Sequence, residues 1–398
     1  MVRDGEAIAP AQTAHLLDEL TAFRRDLHAH PETAFEEFRT ARRVAERLRS
    51  WGLQVHTGLA RTGVVGTLVR GDGPVIGLRA DMDALDLQEA DGPPYVSQHP
   101  GRMHACGHDG HVTMLLGAAR YLSENPGFRG TVRFIFQPAE ENVAGGRVMV
   151  EQGLFERFPM DAVFGLHNMP GMEAGRLGVR PGIVMAAADF FDLTLSGGGG
   201  HGAYPHKLRD PIVTAAQIVT GWQTLVSRQT DPLESAVISV TRIHGGSSCN
   251  VIPDEVELSG TVRAFSEAVQ DQLESGMRRM VEGIASAHGV SAELDYDRRY
   301  RATVNTRRES ALMLQAMSAT VGAERVDDDL PPTMGAEDFG WMLTRCPGAY
   351  GVIGNGTGGS HGAGLHSPGY DFNDAIIPSG VAFWINLVFA FFRERAAA

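Results

Sequence analysis

An α/β fold is predicted: a doubly wound, mixed but mostly parallel sheet, with a smaller α+β unit inserted into it. Three observations predict it. Through residues 54–166, apolar runs of strand length alternate with helical patterns, the order that gives parallel strands covered by helices. Several of these runs end on carboxylates or histidines, where open α/β sheets bind their ligands. From residue 187 the order becomes β-α-β-β-α-β, the ferredoxin-like signature, after which the first pattern resumes. The expected division is 1–186 with 299–398 as the main unit and 187–298 as the insertion.

Residues 11–50 read as two amphipathic helices around the turn His30-Pro31-Glu32. The second, Glu36 to Trp51, sets Ala41, Val44, Ala45 and Leu48 at helical spacing. The charged run Arg24 to Glu32 reads as a solvated helix end, the usual fate of such runs. Strands follow at Gln54–Thr57, Gly63–Arg70 and Val75–Ala80. A helix over 111–122 begins near Gly110, then come a strand Thr131–Phe136, a helix Ala144–Val150 and a strand Asp161–Leu166. Asp189–Leu195 alternates like a half-exposed strand. Helices at 210–228 and 267–288 and strands at Ala236–Ile243, Glu255–Phe265 and Val290–Tyr296 complete the insertion. The main unit resumes with helix 308–321, a helix opened by Met334–Phe339, a strand Gly348–Gly354, a glycine-rich loop Gly356–Gly364 and a long helix Asp374–Arg393.

A length of 398 residues exceeds one ordinary core, which favours two domains. The net charge of −13 argues against nucleic acid and against an anionic membrane surface as partners. No apolar run is expected to reach membrane-spanning length, and no basic-then-apolar leader opens the chain. The cysteines, Cys106, Cys249 and Cys346, are too few and odd in number for a disulfide framework. They fit a reducing compartment, with the cytoplasm as the expectation.

The densest chemistry lies in His104-Ala105-Cys106-Gly107-His108-Asp109-Gly110-His111. Thiolate and imidazole are good ligands for Zn²⁺ and similar ions. A turn at Gly107 lets Cys106 and His108 reach one ion. The competing reading is a His-rich surface turn. Asp81, past the third strand, either ligates a metal or orients a ligand histidine. Glu140 and Glu141 follow the Thr131–Phe136 strand; adjacent residues point apart at a strand end, so one can bind metal while the other serves as general base. A solvated helix start explains the pair equally well. His167 follows the next strand, and His366 lies beyond the last one. The glycines 197–200 before His201 resemble a phosphate loop, but no Gly-Lys-Ser/Thr follows. The absence of Gly-x-Gly-x-x-Gly after the first strands excludes a dehydrogenase.

With these residues in place, the chain closely resembles the dinuclear metallo-amidohydrolase family of aminoacylase, carboxypeptidase-type glutamate hydrolases and peptidase T-like enzymes. It is most similar to the subgroup of hippurate hydrolase, N-acyl-L-amino acid amidohydrolases and plant auxin-conjugate hydrolases. The matching segments are Arg25–Glu32, Gly77–Glu89, Met103–Ala118, Phe134–Glu141, Gly165–Asn168, Gly245–Asp254, Met334–Phe339 and Leu365–Asp374. The resemblance implies two divalent ions (Zn, Mn, Ni or Co) held by Cys106, His108, Glu141, His167 and His366. Cys106 stands where other branches carry a bridging aspartate. Glu140 matches the general base, and Asp81 an aspartate beside the first ligand. His201 matches a histidine that in family dimers reaches the partner's active site, and Asn250 and Arg263 match substrate-contacting lid positions. The insertion is thereby implied to be a lid and dimerisation domain. Departures are Asp86 in place of a proline, Asn142 after the glutamates, and the all-glycine turn before His201. None removes a ligand. The implied activity is hydrolysis of N-acyl amino acids, giving a carboxylic acid and a free amino acid. A dipeptidase or carboxypeptidase of the same family is the runner-up, and a non-catalytic metal-binding protein is the reading from another class.

Overall fold

The structure is a computed structural model that describes residues 7–397. It contains two compact units. One comprises residues up to Val184, Val304–Pro331 and the chain from Asp338 onward; the other comprises Met185–Thr303 and Pro332–Glu337.

In chain order the first unit carries helices α1 (Leu17–His28) and α2 (Phe38–Ser50), strands β1 (Gln54–Leu59), β2 (Gly63–Arg70) and β3 (Val75–Asp81), helix α3 (His108–Glu124), and strands β4 (Gly130–Gln137), β5 (Ala162–Pro170) and β6 (Leu177–Val179). The second unit supplies β7 (Ala187–Ser196), α4 (Pro211–Thr224), β8 (Ala236–His244), β9 (Glu255–Ala264), α5 (Glu267–His288) and β10 (Ser291–Tyr300). The first unit closes with α6 (Arg307–Val321), β11 (Val326–Asp327), β12 (Gly348–Gly356) and α7 (Ile377–Ala397).

The large sheet runs β1-β2-β4-β3-β5-β12-β6-β11. Its middle, β4-β3-β5-β12, is parallel throughout. The β1–β2 hairpin and its junction with β4 are antiparallel. Burial explains the division: β3 and β5 are covered on both faces and read as continuous apolar runs, whereas β1 is largely exposed. Helix α3 is buried nearly all round, so its sequence lacks a polar stripe. It lies close to α7, because an added Cβ at Gly380 would sit 2.0 Å from the Met114 sulfur and one at Gly117 would sit 2.6 Å from Val381. The sequence was expected to hold no run of membrane-spanning length; the stretch Asp374–Ala396 does reach it by length and composition. Most of that stretch is buried within the unit, so its apolarity comes from the core packed around it.

The second unit has the sheet β8-β9-β7-β10, antiparallel at every junction. This is the ferredoxin-like arrangement. The alternation in β7 buries Phe191, Leu193 and Leu195 against Trp222 of α4 and Leu273 and Met277 of α5. Asp210 caps α4 through Ile212 N, 2.9 Å, and Ser266 caps α5.

Three boundaries differ from expectation in ways that matter for the site. Helix α3 starts at His108 rather than near Gly110, because Gly107 turns the chain with φ +90°. Strand β5 continues through His167 and Asn168, so both lie on the sheet itself. Residues 334–338 do not open a helix; the helical turn is Phe339–Leu343. The Asp338 carboxylate is instead committed to Gln137 Nε2 at 2.8 Å, Gly146 N at 2.7 Å and Arg79 at 3.0 Å.

Candidate metal centre

Five side chains converge at the C-terminal ends of the parallel strands and the loops beyond them. The donor atoms of Cys106, His108 and Glu141 all lie within 4.8 Å of one another. Cys106 Sγ is 3.4 Å from His167 Nε2. Glu141 Oε1 lies 3.9 Å from His108 Nε2 and 3.1 Å from His366 Nε2. Cys106, His108 and His167 are buried, while His366 is exposed.

The ring tautomers follow from what each far nitrogen touches. His108 Nδ1 meets two oxygens of Asp83, the carbonyl at 2.9 Å and Oδ1 at 3.1 Å. His167 Nδ1 donates to its neighbour's carbonyl at Asn168, 2.6 Å. With Nδ1 so engaged, both rings turn Nε2, the nitrogen a metal would take, into the cluster. His108 Nε2 is buried and has no hydrogen-bond partner among the described residues. A buried polar nitrogen in that condition is costly without a partner. The charge balance points the same way. Burial, with Glu141, Glu140 and Asp81 close by, pushes the Cys106 thiol well above its ordinary value. Burial opposes protonation of His108, yet Asp81 and Asp83 overcome it and raise the ring to about 10. A buried pocket of donors and carboxylates that Arg79 balances only in part fits divalent cations.

The remaining groups hold this set in place. Asp81 lies at the end of β3, 3.8 Å from His108 Nε2. Its own oxygens are committed to His111 Nδ1 at 2.6 Å and Arg79 at 2.7 Å. Burial disfavours its charge, but His108, Arg79 and His111 hold its carboxyl well below the usual range. His111 accepts from Asn168 N through Nε2, 2.9 Å, so both its nitrogens are occupied and it orients rather than ligates. Asn168 in turn donates to the Cys106 carbonyl, 2.6 Å, and accepts from Tyr370, 2.7 Å.

Glu140 opens a four-residue helix, Glu140–Val143, flanked by Ala139 and Ala144 with φ of +55° and +53°. Left-handed backbone at non-glycine residues costs about 1–3 kcal/mol each and clusters at functional sites. Buried Glu37 holds the entry by accepting from Ala139 N at 2.9 Å and from Thr62 Oγ1 at 2.6 Å. Burial and the Asp83 charge raise Glu37 to about 7. Glu140 is itself buried, with Asp338 N at 3.4 Å from Oε1. His366 also has positive φ, +62°, and its amide donates to Ala105 O at 2.9 Å. That bond ties the His366 loop directly to the Cys106 loop.

In the second unit, His201 and Asn250 come together on a short ladder. His201 pairs with Val251, and Gly202 N donates to Asn250 O at 2.8 Å. Both side chains are exposed. Ala203 N donates to His201 Nδ1, 3.1 Å, so the neutral ring carries its proton on Nε2 and presents a donor. Arg263 lies apart from this ladder, on β9, with its guanidinium bonded to Thr261 and 5.6 Å from the Phe190 ring centroid.

Sequence reasoning did not single out Asp83, His111, Asn168 or Glu37. Asp83 carries a detectable signal, since it repeats the carboxylate of Asp81 two residues on at the same strand exit. Glu37 has none, because it reads as an ordinary helix start. The Arg24–Glu32 run was read as solvated, and that is corrected: Arg24 and His28 are fully buried.

The model of peptidase family M20/M25/M40 matches residues 77–390. The hippurate hydrolase of Campylobacter jejuni is 36% identical over 379 residues, covering 95% of this chain and 98% of its own. The N-acyl-L-amino acid amidohydrolase of Geobacillus stearothermophilus is 45% identical over 290 residues, covering 72% and 78%. Among solved structures, a Bacillus subtilis protein described as a dinuclear metal-binding peptidase of the M20 family superposes with a TM-score of 0.82 at 33% identity, covering 96% of this chain and 99% of that one.

Proposed function

This chain belongs to peptidase family M20/M25/M40, and from that premise we propose how it works as a metal-dependent amidohydrolase of N-acyl amino acids. The products are a carboxylic acid and a free amino acid. The observation that carries the reading is the convergence of five donor side chains, with a buried, unpartnered imidazole nitrogen, His108 Nε2, among them. Cys106, His108, Glu141, His167 and His366 would hold two divalent ions. One thiolate, three imidazoles and one carboxylate suit Zn, Co, Ni or Mn better than Mg or Ca. When bound, such ions polarise the amide carbonyl and acidify a water.

The chain's own groups supply the rest. Glu140, adjacent in sequence to the ligand Glu141, takes the proton of the attacking water and returns it to the leaving nitrogen. Asp81, through His111 and Arg79, fixes the charge beside His108. His201 offers its Nε2 proton to the developing oxyanion. Its exposure, and the family resemblance, favour delivery to a second copy's site, which makes a homodimer through the inserted unit part of the proposal. Asn250, on the His201 ladder, and Arg263, apart from it on β9, would each approach the substrate carboxylate, one from each copy of the chain. Three free cysteines accord with a cytoplasmic enzyme.

The test is amino-acid release from hippurate and other N-acyl amino acids, beside a dipeptide panel, with and without a chelator. Release from N-acyl substrates that stops on chelation and returns with added metal is expected. Release confined to dipeptides would move the assignment to a dipeptidase, and release from neither would refute it.

A further inference from the structure

We propose that Arg24 and His28 are positioning residues for the metal centre, joining the loop that carries Cys106 and His108 to the loop that carries His366. This rests on the reading that the cluster holds ions. The two residues stand one turn apart on α1, so both side chains leave the same face. His28 Nδ1 lies 2.9 Å from Asp109 Oδ2, and its Nε2 lies 3.0 Å from Glu89 Oε1. With a carboxylate on each nitrogen, the ring is a buried cation. Asp109 is the residue after His108, and its other oxygen accepts from Gly110 N at 3.0 Å. The imidazolium therefore grips the first turn of α3, where that ligand is mounted.

Arg24 does the corresponding work on the other loop. Its Nε meets Asp374 at 2.7 Å, and its Nη1 lies 3.4 Å from Asp371 and 3.5 Å from Asp109. One guanidinium thus spans the α3 start and the segment just after His366. Asp371 is further held by Tyr95, 2.7 Å, and Pro368 O accepts from Ala90 N, 2.9 Å. The partner of His28, Glu89, belongs to that same 85–103 loop and accepts from Ser97 N at 2.7 Å. Residues from four separate parts of the chain are therefore locked into one buried network behind the ligands. Such a network is strong only while every member is present. None of these seven side chains touches the donor atoms themselves, so their effect must pass through backbone placement.

The experiment uses full-length protein stripped of metal and titrated with Co²⁺, with ion count by elemental analysis and the thiolate-to-cobalt absorption as the geometric signature. Wild type should take up two ions and show the thiolate band. His28→Gln and Arg24→Gln should weaken cobalt binding about 10–100-fold and alter the band, with far-UV dichroism unchanged. Arg24→Lys should not restore affinity, since an ammonium cannot bridge three carboxylates as a planar fork does. A merely structural role would lower the unfolding midpoint and leave the folded protein's affinity intact. Variants that fold and titrate like wild type overturn the proposal. Wild type that binds no cobalt overturns the metal reading itself. If Arg24→Gln does not fold, His28→Gln and Glu89→Gln carry the same test from the other end of the network.

Discussion

In the first unit, His108 and His167 are buried, and an oxygen fixes the outer nitrogen of each ring. In the second unit, His201 is exposed on a two-residue ladder, steadied by one backbone amide. Each arrangement suits a different partner. A set of ligands that must strip water from small cations gains from rigidity settled before binding. A donor with the role proposed for His201, meeting a transient oxyanion, must instead be able to arrive and leave. The comparison predicts that changes to the five donors alter ion binding, while changes at His201 lower rate with ion binding intact.

The largest expected effect is that of Glu140→Gln. It preserves size and removes the proton acceptor, so kcat should fall about 10²–10⁴-fold with two ions still bound. Full turnover at full metal content would remove Glu140 from the mechanism. His201→Ala should lower kcat about 10²–10³-fold and leave metal content unchanged. Mixing it with Glu140→Gln subunits sharpens the comparison: activity regained in mixed dimers means that His201 serves its partner's site, and none regained means that it serves its own.

The smallest expected effect concerns pH and stability. Burial disfavours the His28 cation, but Asp109 and Glu89 outweigh it and raise the ring from 6.5 to about 9. The folded value exceeds the unfolded one. Its stabilisation, on the order of 3 kcal/mol, is therefore complete below about pH 6.5 and lost as pH rises through about 9. Wild type should lose unfolding midpoint across that window, and His28→Gln should lose less. Equal slopes would show that His28 is not charged in the folded protein.

The sheet, the inserted unit and the five converging donors were legible because each leaves a local mark. Strands β3, β4 and β5 are apolar runs that each lead into polar chemistry, and Cys106-Gly107-His108 puts two potential donors on either side of a turn. The supports were not legible. Arg24 and His28 look like any charged helix end, because burial by partners some 60 to 350 positions away leaves no trace in local spacing. Asp338 lies in a stretch that reads as a helix start, and it does take the N-cap position of the turn Phe339–Leu343, but its long-range bonds to Arg79, Gln137 and Gly146 leave no mark in the local sequence. The length of α7 was missed as a possible span because scattered polar residues interrupt its apolar run. What decides its place is the packing at Gly117 and Gly380.

The most direct test of the account is X-ray absorption on the metal-loaded protein together with a metal count. Two ions per chain, with a sulfur scatterer that disappears in Cys106→Ala, is the predicted result. One ion or none, or two ions with no sulfur in their shell, would contradict it.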